Sequence, residues 1–258
     1  MAALSWRFVK IWYRNLLVYR RVWKIDFLLP LLEPVFYLLA FGLGIGGLIE
    51  NIGYGGRQVP YVTYIAPALL SINMMSAAFF ENTYASFVRM YYQKTYDAML
   101  ATPLSLEDVI TGEIIWGGTK SLLGTAIMLA VISAFGLIRY PGGLLIIPLS
   151  FIGGLMFGAL GMFFTAILPT IDMFNLPVFL LITPMFLLGD TFFPVSNLPA
   201  WVQKIALVFP LTHLCRLSRG VSSNLFDRLY LWHFAYMVAA FVILFLLSLH
   251  FMKRRLLR

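Results

Sequence analysis

The apolar residues of this chain gather in six long runs, which short polar stretches separate. A helix needs about 20 apolar residues to cross the hydrocarbon core of a bilayer. The pattern therefore predicts an all-α integral membrane protein with six transmembrane helices. The predicted spans cover residues 27–49, 59–86, 109–137, 142–168, 173–189 and 229–251, within one domain of residues 1–258.

Residues 4–24 follow a different, amphipathic pattern. At 100° per residue, one face collects apolar and aromatic side chains and the opposite face collects cations. The apolar face contains Val9, Trp12, Leu16, Tyr19 and Trp23, and the basic face contains Arg7, Lys10, Arg14, Arg21 and Lys24. This predicts an amphipathic helix in the membrane interface. It serves either as an anchor alone or also as a contact for a partner.

Composition excludes a soluble protein. Apolar residues make up 61% of the 258 residues and charged residues only 12%, against about 25% charged in a typical soluble domain. The net charge of +8 does not indicate nucleic-acid binding, because the basic residues stand at predicted helix ends beside lipid. Twelve Lys and Arg residues lie on the side of both termini and six on the other side. This bias places both termini in the cytoplasm.

The cytoplasmic segment 93–103 lies between the second and third spans. Tyr96, Met99 and Leu100 share one helical face, and Pro103 ends the helix. A mere connector needs no apolar face, so we expect this helix to dock in a groove of a soluble partner. Ser105, with Asp108 three residues later, predicts a capping box for the next helix.

The loop after the fifth span is the other unusual segment. Its apolar stretch, residues 197–209, is bounded by Pro199 and Pro210 and as a helix reaches only about half way across a bilayer. We expect residues 190–221 to form outer re-entrant helices packed against protein, because their backbone groups need partners there.

Residue types that carry chemistry are scarce. The three histidines lack metal-ligand spacing, Cys215 is the single cysteine, and a phosphate-loop-like glycine pattern has Gly118 where the lysine belongs. We expect no metal site and no nucleotide site in this chain, which argues against an enzyme.

Three polar residues lie in the predicted spans and have two interpretations each. Glu33 and Glu81 either line a pathway or gate, or they are held by neighbours: Glu33 by Arg20, Arg21 or backbone, Glu81 by Lys120 or backbone. Asn73 is either an interhelical hydrogen bonder or a substrate ligand. The Met and Phe side chains of the spans either form an adaptable apolar surface or simply face lipid and neighbouring helices. They are Met74, Met75, Phe79, Phe80, Phe179, Met185 and Phe186.

Several motifs, taken together, resemble one family. They are Glu33-Pro34 with Gly42-x-Gly44-x-Gly46, the stretch from Tyr96 to Leu104, Gly112-Glu113, and a pattern after the fifth span that includes Phe193, Pro194, Pro199, Pro210, His213 and Arg219. The chain resembles the membrane subunit of type-2 ABC exporters over nearly its whole length. It is most similar to the branch of nodulation-factor (lipo-oligosaccharide) and daunorubicin-type drug exporter permeases.

The resemblance implies a mechanism and partners. Two permeases pair, as a homodimer in our interpretation, above two separate ATPase subunits that bind the ATP and Mg. The coupling residues it implies are Thr95, Tyr96, Asp97, Met99, Leu100, Thr102 and Pro103. The pathway or gate candidates are Glu33, Asn73, Met74, Phe79, Glu81, Phe179, Met185 and Phe186. The implied function is ATP-driven export of a lipid-linked or lipo-oligosaccharide amphiphile or a lipophilic drug; a membrane scaffold or insertase is the alternative.

Overall fold

The computed structural model describes residues 5–45, 49, 51–54, 57–224 and 228–256. The described chain is mainly helical. Its helices are α1 (Phe8–Leu39), α2 (Tyr61–Tyr92), α3 (Thr95–Leu100), α4 (Leu106–Ala134), α5 (Gly142–Ile167), α6 (Ile171–Leu188), α7 (Ala200–Ala206), α8 (Pro210–Ser222) and α9 (Arg228–Leu256). Two short antiparallel strands, β1 (Asn51–Tyr54) and β2 (Arg57–Pro60), precede α2.

Five of the helices in the described part of the chain are long and apolar enough to cross a membrane: α2, α4, α5, α6 and α9. They lie where the sequence predicts spans two to six. The protein is therefore membrane-embedded and multi-pass.

The N-terminal region differs from the sequence-based expectation. An interface helix at 4–24 and a separate span at 27–49 were expected, but α1 runs without a break from Phe8 to Leu39 and continues as a wider turn, Ala40–Ile45. No proline or glycine stands between residues 24 and 27 to end the helix. Pro30 and Pro34 lie inside α1. Gly46, from the glycine motif of the family resemblance, lies outside the described residues.

The strands are a second difference, because an all-α protein was expected. Asn51 pairs with Pro60 and Tyr54 pairs with Arg57 in a regular antiparallel register. In the sequence these segments flank a Gly-Gly dipeptide, which is a hairpin signal that the span analysis passed over. The hairpin places Tyr54 beside the ring of Tyr64 on α2.

Helix α5 lies at the centre and packs on α2, α4 and α9. Glycines on α5 allow this close packing. A Cβ atom at Gly154 would lie 2.6 Å from the Cβ of Ser121 on α4, and one at Gly161 would lie 2.7 Å from the carbonyl oxygen of Phe79 on α2. Small residues let helix backbones approach in this way where lipid gives no hydrophobic driving force.

Two ends of the bundle carry the polar features. The α3 end comprises the start of α1, the end of α2, α3, the start of α4 and the end of α9. The hairpin end comprises β1, β2, α7, α8 and the start of α9. The hydrophobic core likewise divides into a cluster that contains Tyr96 and Leu106 and a larger one that contains Leu69 and Leu214.

Candidate functional site

Helix α3 is short, and other elements hold the residues that follow it, up to the first turn of α4. The guanidinium of Arg7, just before α1, donates to the carbonyl of Pro103. The backbone N–H of Ser5 donates to Asp108 Oδ1 at 3.1 Å, and Lys253 on α9 pairs with Glu107 at 2.5 Å. Both termini of the described chain therefore fasten the linker between α3 and α4.

The start of α4 has the predicted capping box. The Ser105 hydroxyl accepts the N–H of Asp108, and the Asp108 carboxylate accepts the N–H of Ser105. The prediction from sequence is confirmed. Because Asp108 also accepts from Ser5, the same carboxylate caps α4 and anchors the chain before α1.

Tyr96 lies inside the protein, and this corrects an expectation. The sequence suggested that Tyr96, Met99 and Leu100 face a partner, but Tyr96 is fully buried and packs with Phe87 and Leu106. Burial, together with the nearby Glu113 carboxylate, raises the pKa of Tyr96. The apolar face of α3 therefore packs on its own bundle, and Met99 and Leu100 are half-buried against the same cluster.

The surface that α3 leaves exposed is made of small and polar residues. Asp97 is exposed and lies 3.9 Å from Lys94. Ala98, Ala101, Thr102 and Pro103 are exposed as well, whereas Thr95 is half-buried. Lys94 precedes α3 in the left-handed backbone region, with φ of 52°, so the chain turns sharply there. The exposed surface of α3 and of the residues after it therefore consists of small and polar side chains, next to the exposed rings of Tyr91 and Tyr92.

A charged network lies directly behind α3. Arg89, on the last turns of α2, donates to Glu113 on α4 at 2.5 Å and to Glu81 at 2.8 Å. Glu113 is fully buried and also accepts from Asn15 on α1 and from Ser86, both at 2.9 Å. Arg89 and Glu113 therefore join α1, α2 and α4. An ion pair this buried strongly penalises the loss of either partner.

A second set of contacts continues the network along the bundle. Lys120 on α4 lies 2.5 Å from Asp26 on α1 and 3.5 Å from Glu81 on α2. Trp116 donates its indole N–H to Glu81 at 3.1 Å. Glu81 is thus held by Lys120, as one of the two interpretations expected, and by Arg89 in addition. A cavity of about 500 Å³ opens beside these groups, between α1, α2 and α4.

The other pathway or gate candidates do not come together at one surface. Met74, Phe79 and Met185 are fully buried in the core, Phe186 is half-buried against it, and Phe179 is 69% exposed on α6. Of all eight candidates only Glu81 lines either of the two described cavities.

Asn73 and Glu33 have different surroundings. Asn73 accepts a hydrogen bond of 3.4 Å from Thr125 on α4, which is an interhelical contact. Glu33 is half-buried and, within the described residues, forms no ion pair with Arg20 or Arg21. Those arginines are exposed on the same helix.

At the hairpin end, a buried arginine ties the segment after α6 to α2. Arg219 on α8 is 3% exposed; it donates to the carbonyls of Tyr64 and Thr191, each at 3.1 Å, and to that of Asp190. Its guanidinium lies 3.7 Å from the centre of the Tyr64 ring. Because each of these partners is buried, Arg219 fixes the position of α8 against α2.

Asp190 is the acidic centre of the same cluster. Its carboxylate lies 3.3 Å from Arg219 and 3.2 Å from Arg216, and it accepts from Tyr64 and from the N–H of Val195. Asp190 has φ of 64°, a left-handed conformation that aspartate tolerates better than most residues. This acid ends α6 and turns the chain toward α7.

The expected re-entrant region contains two short helices, α7 and α8. Pro199 precedes α7 and Pro210 is the first residue of α8, the position where proline costs no hydrogen bond. Pro194 is buried, while Phe193 and Pro199 are exposed. The single cysteine, Cys215, is fully buried on α8, and burial raises the pKa of its thiol to about 12. That thiol is therefore inert to alkylating reagents.

His213 on α8 meets His233 on α9. The two Nδ1 atoms lie 2.7 Å apart, and His213 Nε2 lies 2.8 Å from the carbonyl oxygen of Leu207. Burial lowers the pKa of His213. The pair thus joins α8 to α9 through neutral rings, and Tyr236 stacks on His213 at 3.9 Å.

Sequence reasoning missed several of these residues. Asn15 and Arg89 were not selected, and Glu113 was named only within the Gly112-Glu113 motif, because a charged or amide side chain at a helix end reads as a surface group when its partners are unknown. Asp190 was missed for the same reason. The sequence did contain one signal for Asp190. It comes directly after Gly189 at the end of the fifth predicted span, and no other acidic residue lies between it and Asp172.

Comparison with known proteins identifies the family. The family model for the ABC-2 type transporter matches residues 7–226. Nodulation protein J of Rhizobium leguminosarum bv. viciae is 35% identical over 256 residues, 99% of this chain and 96% of the relative; its counterpart in Sinorhizobium fredii is 31% identical over 257 residues, 100% and 97%. The inner membrane transport permease YadH of Escherichia coli is 23% identical over 216 residues, 83% and 82%. The chain belongs to the ABC-2 type transporter family and is a permease subunit of a transporter.

Proposed function

We propose that this chain is the transmembrane subunit of an ATP-driven exporter for an amphipathic substrate. The substrate class is a lipid-linked or lipo-oligosaccharide amphiphile, or a lipophilic drug. Two copies of the chain pair above two copies of an ATP-binding-cassette ATPase, which binds the ATP and Mg. The observation that carries the proposal is the position of α3: its inner face is buried in the bundle at Tyr96, Arg7 holds the segment that follows it, and its outer face is exposed.

The proposed topology has six spans. The apolar half of α1, from Phe27 onward, is the first span, and α2, α4, α5, α6 and α9 are the other five. An even number puts both ends of the chain on one side. The excess of Lys and Arg in residues 7–24, 89–94 and 253–258 assigns that side to the cytoplasm. The α3 end then faces the ATPase, and the hairpin end faces outward. The relative YadH carries an inner-membrane description, and we assign the same membrane here.

Force applied at α3 has a defined route into the bundle. Tyr96 is inserted beneath the Arg89–Glu113 pair, and that pair joins α1, α2 and α4. Arg7 and Lys253 hold the segment after α3 from two further sides. A displacement of α3 therefore moves four elements together, which is the type of rigid-body motion that alternating access requires.

The seam of the proposed homodimer lies on α1 and α6. On α6, Phe179 and Leu180 are 69% and 74% exposed, and on α1 Phe36 is 63% exposed. The most apolar stretch of α6 is 22% buried within one chain and that of α9 is 11% buried, so among the described spans α6 is one of two whose apolar surface the chain itself leaves largely uncovered. Side chains of this size facing outward suit both a second copy of the chain and an apolar tail of the substrate.

A matched pair of variants tests the proposal. Ala101→Trp places a large side chain on the exposed surface of α3, and Tyr96→Ala removes a buried ring from its inner face. We expect tagged Ala101→Trp permease to melt like the unmodified protein but to lose co-purifying ATP hydrolysis. We expect Tyr96→Ala to lose about 3–5 kcal/mol of unfolding free energy, as for other large buried aromatic side chains.

The two variants together decide between a docking surface and simple packing. Ala101→Trp permease that keeps its full ATP hydrolysis after purification would contradict the docking of an ATPase on α3.

A further inference from the structure

The hairpin end contains a cavity of about 780 Å³ that the transport scheme leaves without a role. Its wall includes residues from both strands, from α2, α8 and α9, and from the loops that follow α4 and α6. Among them are Tyr54, Gln58, Arg139, Arg216, Ser223 and His233. Such a mixture of aromatic, amide, hydroxyl and cationic side chains is typical of a site for a polar ligand.

The hydrogen-bond chain through the two histidines determines what His233 offers. A carbonyl oxygen only accepts, so His213 carries its proton on Nε2, which donates to Leu207. Nδ1 of His213 is then an acceptor, and His233 must donate to it from Nδ1. Nε2 of His233 is left as an unprotonated acceptor. It is buried and has no hydrogen-bond partner within the described residues.

A buried acceptor without a hydrogen-bond partner raises the free energy of the folded protein. We therefore expect a ligand in the cavity to donate a hydrogen bond to His233 Nε2. His233 itself is 2% exposed and belongs to the cavity wall. A hydroxyl group of a ligand in the cavity is the chemical complement of its Nε2 atom. A ligand that offers only acceptors does not satisfy it.

The arginines of the cavity define the other half of the ligand. Arg216 shares the Asp190 carboxylate with the buried Arg219, so one acid faces two cations. Arg139 is exposed and, among the described residues, makes no side-chain hydrogen bond or ion pair. The wall therefore has a surplus of positive charge, which favours an anion.

The backbone around Arg139 is held in place. Its N–H donates to the carbonyl of Ser222 at 2.9 Å. The side chain of Asn224 accepts from the N–H of Gly142 at 2.7 Å and donates to the carbonyl of Tyr140 at 3.1 Å. These bonds clamp the loop between α4 and α5 onto the end of α8, so Arg139 is presented to the cavity from a fixed base.

We propose that this cavity binds a head group in which an anionic phosphate or sulfate stands beside hydroxyl groups. The anion contacts Arg139 and Arg216, and a hydroxyl donates to Nε2 of His233. Two sources supply this chemistry: the head group of the exported amphiphile, or a resident anionic phospholipid such as phosphatidylglycerol. Binding at the site does not require the ATPase, so it can be tested separately from the proposed function; only the assignment to the exported head group rests on that function.

Binding of three soluble probes to the full-length protein in phosphatidylcholine nanodiscs tests the site. The probes are glucose 6-phosphate, inorganic phosphate and glucose, and saturation-transfer NMR gives each dissociation constant. We expect glucose 6-phosphate to bind more tightly than either of the others. Equal affinity for glucose 6-phosphate and inorganic phosphate, or no saturable binding of glucose 6-phosphate, would overturn the proposal.

Two variants test which cavity residues bind the anion and the hydroxyl group of the ligand. Arg139→Gln should weaken glucose 6-phosphate and phosphate alike, by about tenfold for one charged hydrogen bond. Arg228→Gln, an exposed arginine outside the cavity wall, is the matched control and should change neither. His233→Phe should reduce glucose 6-phosphate affinity to that of phosphate and leave phosphate itself unchanged; His250→Phe, on the same helix, is its control.

Because Arg139 is exposed, we expect Arg139→Gln to fold normally. This variant therefore tests the site even if His233→Phe does not fold. Unchanged binding in Arg139→Gln contradicts the site by itself. Repeating the titration in nanodiscs that contain phosphatidylglycerol separates the sources. If phosphatidylglycerol weakens the binding of glucose 6-phosphate, the lipid competes for the site and is the resident ligand. If glucose 6-phosphate binds equally well in both kinds of nanodisc, the site is assigned to the exported head group.

Discussion

Single polar side chains control the geometry of both ends of this protein. At the α3 end, Glu113 is fully buried and accepts hydrogen bonds from Asn15 on α1 and from Ser86 and Arg89 on α2. At the hairpin end, Asp190 has the same role toward Arg216 and Arg219. A buried carboxylate of this type adds little net stability when paired, but its removal strands a buried cation.

Asp190→Asn tests the acidic centre at the hairpin end. The amide keeps an oxygen for the N–H of Val195 but removes the charge that balances Arg219. We expect a loss of about 3–5 kcal/mol of unfolding free energy, measured by SDS titration in mixed micelles. Asp172→Asn is the control, because Asp172 is exposed and forms no ion pair with any described residue. Equal stability of the two variants would show that Arg219 is held without Asp190.

At the scale of elements, close helix contacts decide how the spans pack. Glycines bring α5 against α4 and α2, and Gly112 brings α4 against α1, where an added Cβ would lie 2.7 Å from the Cβ of Ile11. The glycine pattern on α5 was readable from the sequence, because small residues at helical spacing have few other uses in a span. The contact at Gly112 was not, since its partner lies about a hundred residues away in the chain.

Gly154→Val tests the packing of α5 on α4. The new side chain meets the Cβ of Ser121 and, at 2.8 Å, the Cα of Gly118, which is backbone and cannot rotate away. Overpacking of this kind costs about 1–3 kcal/mol, and we expect a lower melting temperature in detergent. Gly44→Val is the matched control, because nothing lies within 4 Å of an added Cβ there. A melting temperature for Gly154→Val no lower than that of Gly44→Val would mean that the helices are further apart than described.

For the whole molecule, the sequence located the membrane spans well. It was less informative about which side of each helix packs against the rest of the protein. Apolar runs located α2, α4, α5, α6 and α9, because length and hydropathy are local properties. On α1, Val9 and Trp23 were expected on a face that meets the membrane interface, and both are exposed in the protein. No local pattern marked Ile11 and Asn15 as the buried residues that meet α4. Tyr96 was misassigned for the same reason, because amphipathicity shows which face is apolar and not what covers it.

Topology is tested by single cysteines added to the native protein, whose own Cys215 is buried and unreactive. We expect a membrane-impermeant maleimide to label Ser196→Cys and Lys204→Cys in intact cells, and to spare Lys10→Cys and Arg254→Cys until the membrane is opened. All four positions are exposed in the structure. Labelling of Lys10→Cys or Arg254→Cys from outside would contradict six spans with cytoplasmic termini, and access to Lys204→Cys from the inside would contradict the re-entrant arrangement.

The most direct test of the account is whether the exposed end of α3 touches the ATPase. Thr102→Cys, at the end of the exposed surface, is treated in native membranes with a maleimide–succinimidyl ester crosslinker, which joins the cysteine to a lysine amine of a neighbouring protein, and Ser196→Cys at the hairpin end is the matched control. We expect Thr102→Cys to give a crosslinked product containing one permease and one ATPase subunit, and Ser196→Cys to give none. A permease–ATPase product from Ser196→Cys, or its absence from Thr102→Cys while ATP hydrolysis still co-purifies, would contradict the proposed coupling.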